Sequence, residues 1–410
     1  MSTQPTSTDP QDAQQQITKV PITDQLTLQL AEIEIPQDHT TLPEAVVSNV
    51  VPLASYTWVG QDENTPRMLV PSCPSVYSAP ALPFHSQSDV VVQSVRGFVP
   101  GNQDIFRSPE SPLIPLVESV RFLNPSFDFS TIDLVTNRQN FRKLIESITR
   151  PKDPFRIDVE HVGNRTVLFS RWNDGTLEEM DVGYGFAFKK NMTDAAGRRP
   201  ASHHARIIAY DFAGLRILLR SKIDAYSKEN KDDGSLESLI ESLSLKPTHS
   251  STATPGNSVK SSNGVEMIPS STLVSQSSLI EFAARASTAR GSFKWANKFP
   301  QLYLAAIPNF MIGYHTEGTF NRVERFDVTD SGIDNGPDIV QRARERALPL
   351  LRKLGAVLNL IRDKVLELTS DEDTGSRRGR LFSVVYQDGQ LGLYERAGGP
   401  ELPDNLAELF

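Results

Sequence analysis

The sequence predicts a mixed α/β (α+β) fold, one large domain built on a curved central sheet with helices against it. Three observations predict it. Gly163-Asn164 and Asp388-Gly389 each separate two short alternating apolar–polar runs, the pattern of tight hairpins. Residues 337–368 place Ile339, Ala343, Ala347, Leu350, Leu354, Leu358, Ile361 and Val365 on one helical face. Residues 293–328 read as an amphipathic helix, a turn at Pro308, and two strands joined through Thr316-Glu317-Gly318.

In chain order, residues 1–45 are rich in Gln, Thr, Ser, Pro and Asp, with one apolar cluster at Leu26–Leu30. They read as a disordered acidic tail. Residues 46–108 follow as a Pro-rich extended arm, since prolines recur among isolated aromatics such as Tyr56, Trp58, Tyr77 and Phe84. Regular structure starts at 109. Leu113–Phe122 and Arg138–Ile148 have helical spacing, and Arg156–Glu160 with Thr166–Arg171 form the first hairpin. Ile207–Tyr210 and Leu215–Asp224 are two further strands. Residues 228–270, crowded with Ser, Thr, Lys and Asp and holding one short helix at Leu236–Leu243, read as a disordered insertion, because strand-like sequence resumes at Leu279–Ala284. Leu381–Tyr386 and Gln390–Glu395 make the last hairpin of a domain spanning 109–397, and 398–410 is left as a tail.

The net charge of −8 is unevenly placed: residues 1–120 carry 4 Lys/Arg against 13 Asp/Glu, and the rest carry 38 against 37. The whole molecule therefore does not bind nucleic acid by bulk charge, while the part beyond 120 stays open to a phosphate-binding surface. The single cysteine, Cys73, excludes a disulfide framework or a Cys-based zinc site. No apolar run approaches a membrane span and Met1–Pro10 lacks a signal core, so the expectation is a soluble, non-secreted protein of cytoplasm or nucleus.

Gly-rich phosphate loops, dinucleotide fingerprints, HExxH and GxSxG are all missing. His203-His204 offers a weak phosphate contact. Asp232-Asp233 and Asp371-Glu372-Asp373 sit in Ser/Gly-rich loops, where paired acids are solvated surface rather than a diphosphate site.

With the elements placed, their order resembles the DXO-type decapping and 5′-exonuclease family, whose core is PD-(D/E)XK-like, over residues 110–396. Ile132-Asp133-Leu134-Val135-Thr136-Asn137-Arg138, with Lys143 downstream, is similar to its strand-to-helix segment. Tyr184-Gly185-Phe186-Ala187-Phe188-Lys189 resembles its Gly-Tyr, Phe-Glu motif, with Lys189 in place of the glutamate. Arg220-Ser221-Lys222-Ile223-Asp224 resembles its E-x-D motif, keeping Asp224 and carrying Lys222 for the glutamate. Leu279-Ile280-Glu281-Phe282-Ala283 resembles its E-x-K motif, keeping Glu281 and carrying Ala283 for the lysine. Pro300-Gln301-Leu302 falls where the family has the helix whose Gln lies in the active site.

The resemblance implies a site at Asp224, Glu281 and Gln301, with Asp224 and Glu281 as ligands if Mg2+ or Mn2+ is bound. Two of four carboxylate positions have become lysines, a local change of about +4. At ~4 Å and an effective dielectric of ~20 each unit contact is worth about 4 kcal/mol, which strongly disfavours a divalent ion. Glu178, Glu179 and Asp181 are the acids nearest in sequence that would supply displaced ligands. Arg138, Arg142, Lys143, Arg206 and Arg220 are the candidates to line a groove for an RNA backbone. Three functions follow as expectations. The first is a diverged, catalytically impaired relative binding RNA 5′ ends or nucleotides without a metal; the alternative is a working metal-dependent RNA 5′-end hydrolase with rearranged ligands. The third is a non-enzymatic scaffold for a protein partner.

Overall fold

The computed structural model describes residues 20–36, 42–60, 66–87, 103–108, 110–149, 153–172, 183–194, 204–228, 258–289, 293–329, 338–370 and 380–410. The strands are β1 (Leu26–Glu32), β2 (Ser48–Val59), β3 (Arg67–Leu69), β4 (Ser75–Tyr77), β5 (Phe84–His85), β6 (Leu134–Asn137), β7 (Phe155–Val162), β8 (Thr166–Arg171), β9 (Thr193–Asp194) and β10 (His204–Phe212). They continue as β11 (Leu215–Ile223), β12 (Ala225–Tyr226), β13 (Val259–Lys260), β14 (Glu266–Ile268), β15 (Leu279–Ala286), β16 (Asn309–Thr316), β17 (Thr319–Asp327), β18 (Leu381–Gln387) and β19 (Gln390–Arg396). The helices are α1 (Gln103–Arg107), α2 (Ile114–Leu123), α3 (Arg138–Ile148), α4 (Gly185–Asn191), α5 (Trp295–Leu304), α6 (Asp338–Ser370) and α7 (Asp404–Ala407).

Two mixed sheets organise them. A 12-stranded sheet runs β1-β19-β18-β7-β8-β6-β11-β10-β2-β3-β14-β13, and a 7-stranded sheet runs β5-β17-β16-β15-β12-β4-β9. The expected mixed α/β (α+β) sheet-and-helix architecture is the observed one. One face of the large sheet packs with α3, α5 and α6 around Phe141, Leu144, Phe299, Leu302, Leu354 and Leu358. Its other face packs with α2 and α7 through Leu116, Val117, Val120, Leu402 and Leu406. A smaller aromatic core beneath α4 joins Phe188, Phe282 and Phe320 on the second sheet.

Local sequence accounts for the elements nearest the site. The Asn137 side chain accepts from the Asn140 backbone N–H and so starts α3, whose Phe141, Leu144 and Ile145 share the buried face. β15 and β16 are parallel neighbours. Parallel pairing needs a crossover, and α5 is that crossover, which lays its side chains over β15. Glu317 and Gly318, both at positive φ (48° and 84°), make the tight turn between β16 and β17.

Four segment readings change. Within the expected tail, Leu26–Glu32 pairs with β19 as an edge strand, and Ile33 is buried in the main core. Within the expected arm, β2 is an interior strand between β10 and β3. Its Pro52 hid this: a proline has no N–H for the ladder, and the β2–β10 register shifts beside it, as a bulge allows. Residues 258–270, placed in the insertion, hold β13 and β14, which extend the large sheet from β3. Residues 398–410 bury Leu402, Leu406 and Phe410 instead of forming a free tail. The short helix at 236–243 lies outside the described residues, as do Glu178, Glu179, Asp181, His203, Asp232-Asp233 and Asp371-Glu372-Asp373.

Candidate functional site

Asp224 follows β11 directly, and the next two residues, β12, pair with Ile280 and Leu279 of β15. That short junction pins the aspartate beside Glu281: the Phe282 backbone N–H donates to Asp224 Oδ2 at 3.0 Å. The two retained acids thus stand side by side, Asp224 at the β11–β12 junction and Glu281 on β15.

Cations approach from three helices. Arg138, the first residue of α3, donates to Glu281 Oε2, and Lys298 of α5 donates to Glu281 Oε1. Lys189 of α4 donates to Asp224 Oδ1 at 2.8 Å. Glu281 and Asp224 are both 7% exposed at the side chain, while Lys189 is 39% exposed and forms the open side of the cluster. The Lys298 ammonium also lies 5.2 Å from the centre of the Phe310 ring.

Electrostatics tie the pairs into one unit. Burial alone would push the Glu281 carboxyl up, but Arg138 and Lys298 hold it down at about 2. Burial would lower the Lys189 amine, and the Asp224 charge and hydrogen bond raise it instead; Glu281 adds to the rise and Arg138 opposes it. Among the described residues, two carboxylates face three cations, an excess of one positive charge.

Hard divalent ions take several oxygen ligands, mostly anionic. Among the described residues no three His, Cys, Asp or Glu side chains come together. Both acids of the cluster already accept from cations. The described residues do not fit Mg2+ or Mn2+, and no chemical step is derived through either.

The other expected residues are placed as follows. Gln301 lies one turn beyond Lys298 on α5, with its Nε2 donating to the Asn297 carbonyl at 2.9 Å within the same helix. Ala283 packs against the main core opposite Ile312, so no amine stands there. Lys222 is exposed on β11, and the cations beside Glu281 are Arg138 and Lys298 instead. Lys143 pairs with Glu146 at 3.8 Å, farther along α3, and Arg142 with the same acid at 2.7 Å.

Arg206 and Arg220 cannot line a groove. Arg206 is fully buried, donating to Gln276 Oε1 at 3.1 Å and to the Val274 carbonyl. Arg220 is 6% exposed and donates to Tyr56 Oη at 3.1 Å and the Pro112 carbonyl at 2.6 Å, with Asp104 at 3.2 Å. Both sit on interior strands of the 12-stranded sheet, where a long cation survives only with internal partners. His204 is likewise buried, its Nδ1 3.0 Å from Ser72 Oγ, and burial with the Arg206 charge lowers it to about 3. It is a neutral internal residue, not a phosphate contact.

Sequence reasoning missed Lys298. The available signal was its i, i−3 relation to Gln301, which puts both on one side of α5. It also missed Gly313. A Cβ there would meet the Phe188 ring at 2.2 Å, so this glycine lets α4 sit flat on β16 and hold Lys189 over Asp224. Gly313→Ala is expected to cost about 1–3 kcal/mol through this overpacking, read as a lower urea midpoint.

A family model described as a domain of unknown function (DUF8563) matches residues 26–373. No curated protein matches the sequence. Among solved structures, a mutant S. pombe Rai1 in complex with 3′-FADP aligns at TM-score 0.56 and 12% identity, covering 88% of this chain and 97% of that one. Candida albicans Rai1 in complex with pU5 and Mn2+ aligns at TM-score 0.55 and 13% identity, covering 90% and 96%. Scheffersomyces stipitis Rai1 with (3′-NADP)+ and calcium aligns at TM-score 0.53 and 11% identity, covering 93% and 99%. The fold is therefore shared with these DXO-type structures along nearly their whole length. Among the described residues no helix is long and apolar enough to cross a membrane.

Proposed function

The chain belongs to the family described as domain of unknown function DUF8563, and from that premise we propose a metal-free, non-hydrolytic member of the DXO-type fold that binds the 5′-phosphate end of RNA or a nucleotide. One observation carries this reading: each retained acid is already neutralised by a side chain of the protein itself, Asp224 by Lys189 and Glu281 by Arg138 and Lys298. Internal ammonium and guanidinium groups take the role that ions play in a metal-dependent nuclease, which removes the Lewis acid and the activated water together.

What remains suits binding. Among the described residues the cluster keeps one excess positive charge, and Lys189, its most exposed cation, offers a phosphate a charge-assisted hydrogen bond. Structures with this fold hold 3′-FADP and pU5 in Rai1. In this chain the anion would meet Lys189 first, with Arg138 and Lys298 behind it.

Calorimetric titration with Mg2+ and Mn2+ tests the first half, with no specific heat expected at millimolar metal. Metal binding that vanishes in Glu281→Ala would restore the hydrolase reading. The second half is tested with 5′-phosphorylated single-stranded RNA in EDTA. Affinity is expected to fall steeply with salt and to weaken in Lys189→Ala, while the RNA is recovered uncut. Equal affinity for wild type and variant would remove the cluster from the binding surface.

A further inference from the structure

Beyond Glu281 the 7-stranded sheet carries a second arrangement of planar and charged groups. Strand register fixes which side chains share its face. Glu281, Ala283 and Arg285 of β15 stand level with Phe310, Ile312 and Tyr314 of β16, and these with Phe326, Glu324 and Arg322 of β17. Paired residues point the same way and alternate residues repeat the direction, so all nine share the face on which Glu281 meets Arg138 and Lys298. At the Phe310 end that face is covered by Phe293 and Trp295. At the Tyr314 end it opens: Tyr314 is half-buried and the Arg322 side chain is 60% exposed.

Three residues hold one another there. The Arg322 guanidinium carbon lies 4.1 Å from the centre of the Tyr314 ring, contact distance for a cation over an aromatic face. Glu324 closes the triangle. Its Oε1 pairs with Arg322 Nη1 at 2.9 Å, and its Oε2 accepts from the Tyr314 hydroxyl at 2.8 Å. Burial and the bond to Glu324 push the Tyr314 phenol up to about 12, with Arg322 and Arg285 pulling against them, so the hydroxyl stays a donor at neutral pH. The ring sets the height of the guanidinium and the carboxylate sets its direction. An exposed arginine ordinarily loses much rotamer freedom when it binds; here the fold has already restricted it. The side of the guanidinium turned away from Tyr314 is a flat, cationic, oriented surface, the kind on which an unstacked nucleobase lies.

Its distance from the Asp224–Glu281 cluster decides which base. Tyr314 lies four residues along and one strand across from Glu281, about 14 Å between α-carbons, and Arg322 one strand farther, about 16 Å. Ala283, between them, adds only a methyl group to that path. A nucleotide whose phosphate sits at the cluster cannot also lay its own base on Arg322, whereas a base farther along the same strand can.

We propose that Arg322, laid on Tyr314 and clamped by Glu324, is a stacking platform for an internal base of a single-stranded RNA whose 5′ phosphate occupies the Lys189 cluster. The proposal rests on the reading of Lys189 as the phosphate contact. It makes the preferred ligand an oligonucleotide rather than a mononucleotide.

Titration of the full chain in EDTA tests it, with a 5′-phosphorylated RNA pentamer, the same oligomer without bases, and a 5′-phosphorylated mononucleotide. Arg322→Lys keeps the charge and loses the plane. It is expected to weaken the RNA roughly tenfold and to leave the abasic oligomer and the mononucleotide unchanged. The salt dependence of RNA affinity should stay that of the wild type, because the number of charges does. Wild-type RNA affinity in Arg322→Lys overturns the platform, and a loss in Lys189→Ala alongside it leaves the phosphate reading intact. Equal weakening of the RNA and the abasic oligomer also overturns the platform, since charge and not stacking would be lost. A loss in Arg322→Lys with none in Lys189→Ala instead removes the phosphate reading and leaves a base site without a 5′-end contact. No RNA binding by the wild type overturns both. Should Arg322→Lys fail to fold, 2-aminopurine placed in turn along the pentamer replaces it. Quenching on binding to the wild type is then expected at an internal position, and quenching at none of them overturns the proposal.

Discussion

Glu281→Gln is expected to lower the stability of this protein by about 3 kcal/mol, enough to move its urea midpoint clearly. The reason is what the substitution leaves behind. Arg138 and Lys298 are only 18% and 19% exposed, and without the carboxylate they face each other as like charges in a desolvated place. A second route gives a similar size. The Glu281 carboxyl sits at about 2 in the folded chain against an ordinary 4.5, and each pKa unit is worth about 1.4 kcal/mol. The sign is that of a depressed acid: its contribution is fully present above about pH 4.5 and is lost as pH falls from there through about 2. Wild-type stability should therefore drop across that acid window, and the Glu281→Gln variant should show a shallower drop. Lys298→Met in the Glu281→Gln background should cost less than in the wild type, because the lysine has lost its partner. Additive losses would mean that the ion pair contributes nothing.

The second large effect is a gain. Wild-type unfolding is expected to ignore Mn2+, whereas the double variant K189E/K298A should acquire a dependence on it. The change sets a third carboxylate beside Asp224 and Glu281 and leaves Arg138 as the one remaining cation of the cluster. Without metal the variant should be less stable than the wild type, from like charges held close together. With Mn2+ at about 100 times its dissociation constant, linkage would return about 2.7 kcal/mol. Indifference of the variant to Mn2+ would mean that the backbone no longer brings the three positions within reach of one ion, and that lysine substitution alone does not explain the poor fit.

Periodic elements were legible in the sequence. α3, α5 and α6 and the hairpins β7–β8, β16–β17 and β18–β19 follow from 3.6- and 2-residue spacing with their turns, because those patterns are local, whereas the parallel β15–β16 pairing is seen only in the structure. β2 was not legible. Its prolines at 43 and 52 bracket the signal, and only the bulge beside Pro52 reconciles that residue with an interior strand. At the site, Asp224, Glu281, Lys189 and Arg138 were visible through the order of short motifs. Lys298 was not, because its distance to Glu281 is created by the crossover from β15 to β16, which no window of sequence contains. Arg206 and Arg220 were misread for a related reason: an arginine in an apolar strand looks the same whether it faces solvent or a buried tyrosine and carbonyl. Their flanks, Ala205 with Ile207 and Leu219 with Ser221, were the available warning.

The position of β2 bears on how the chain folds. This strand emerges early in synthesis, yet one of its long neighbours is β10, where Thr57 meets His204, and the edge strand β1 must wait for β19, where Leu26 meets Arg396. Nearly the entire chain has to be made before the large sheet can close. Contacts so distant in sequence slow the search, since loop closure must precede the pairing that rewards it. Until then the β2 edge that β10 will cover stays unpaired along mostly apolar residues, with only Thr57–Val59 matched to β3 on the other side. Chains truncated before 204 should therefore aggregate, and refolding yield should fall with protein concentration.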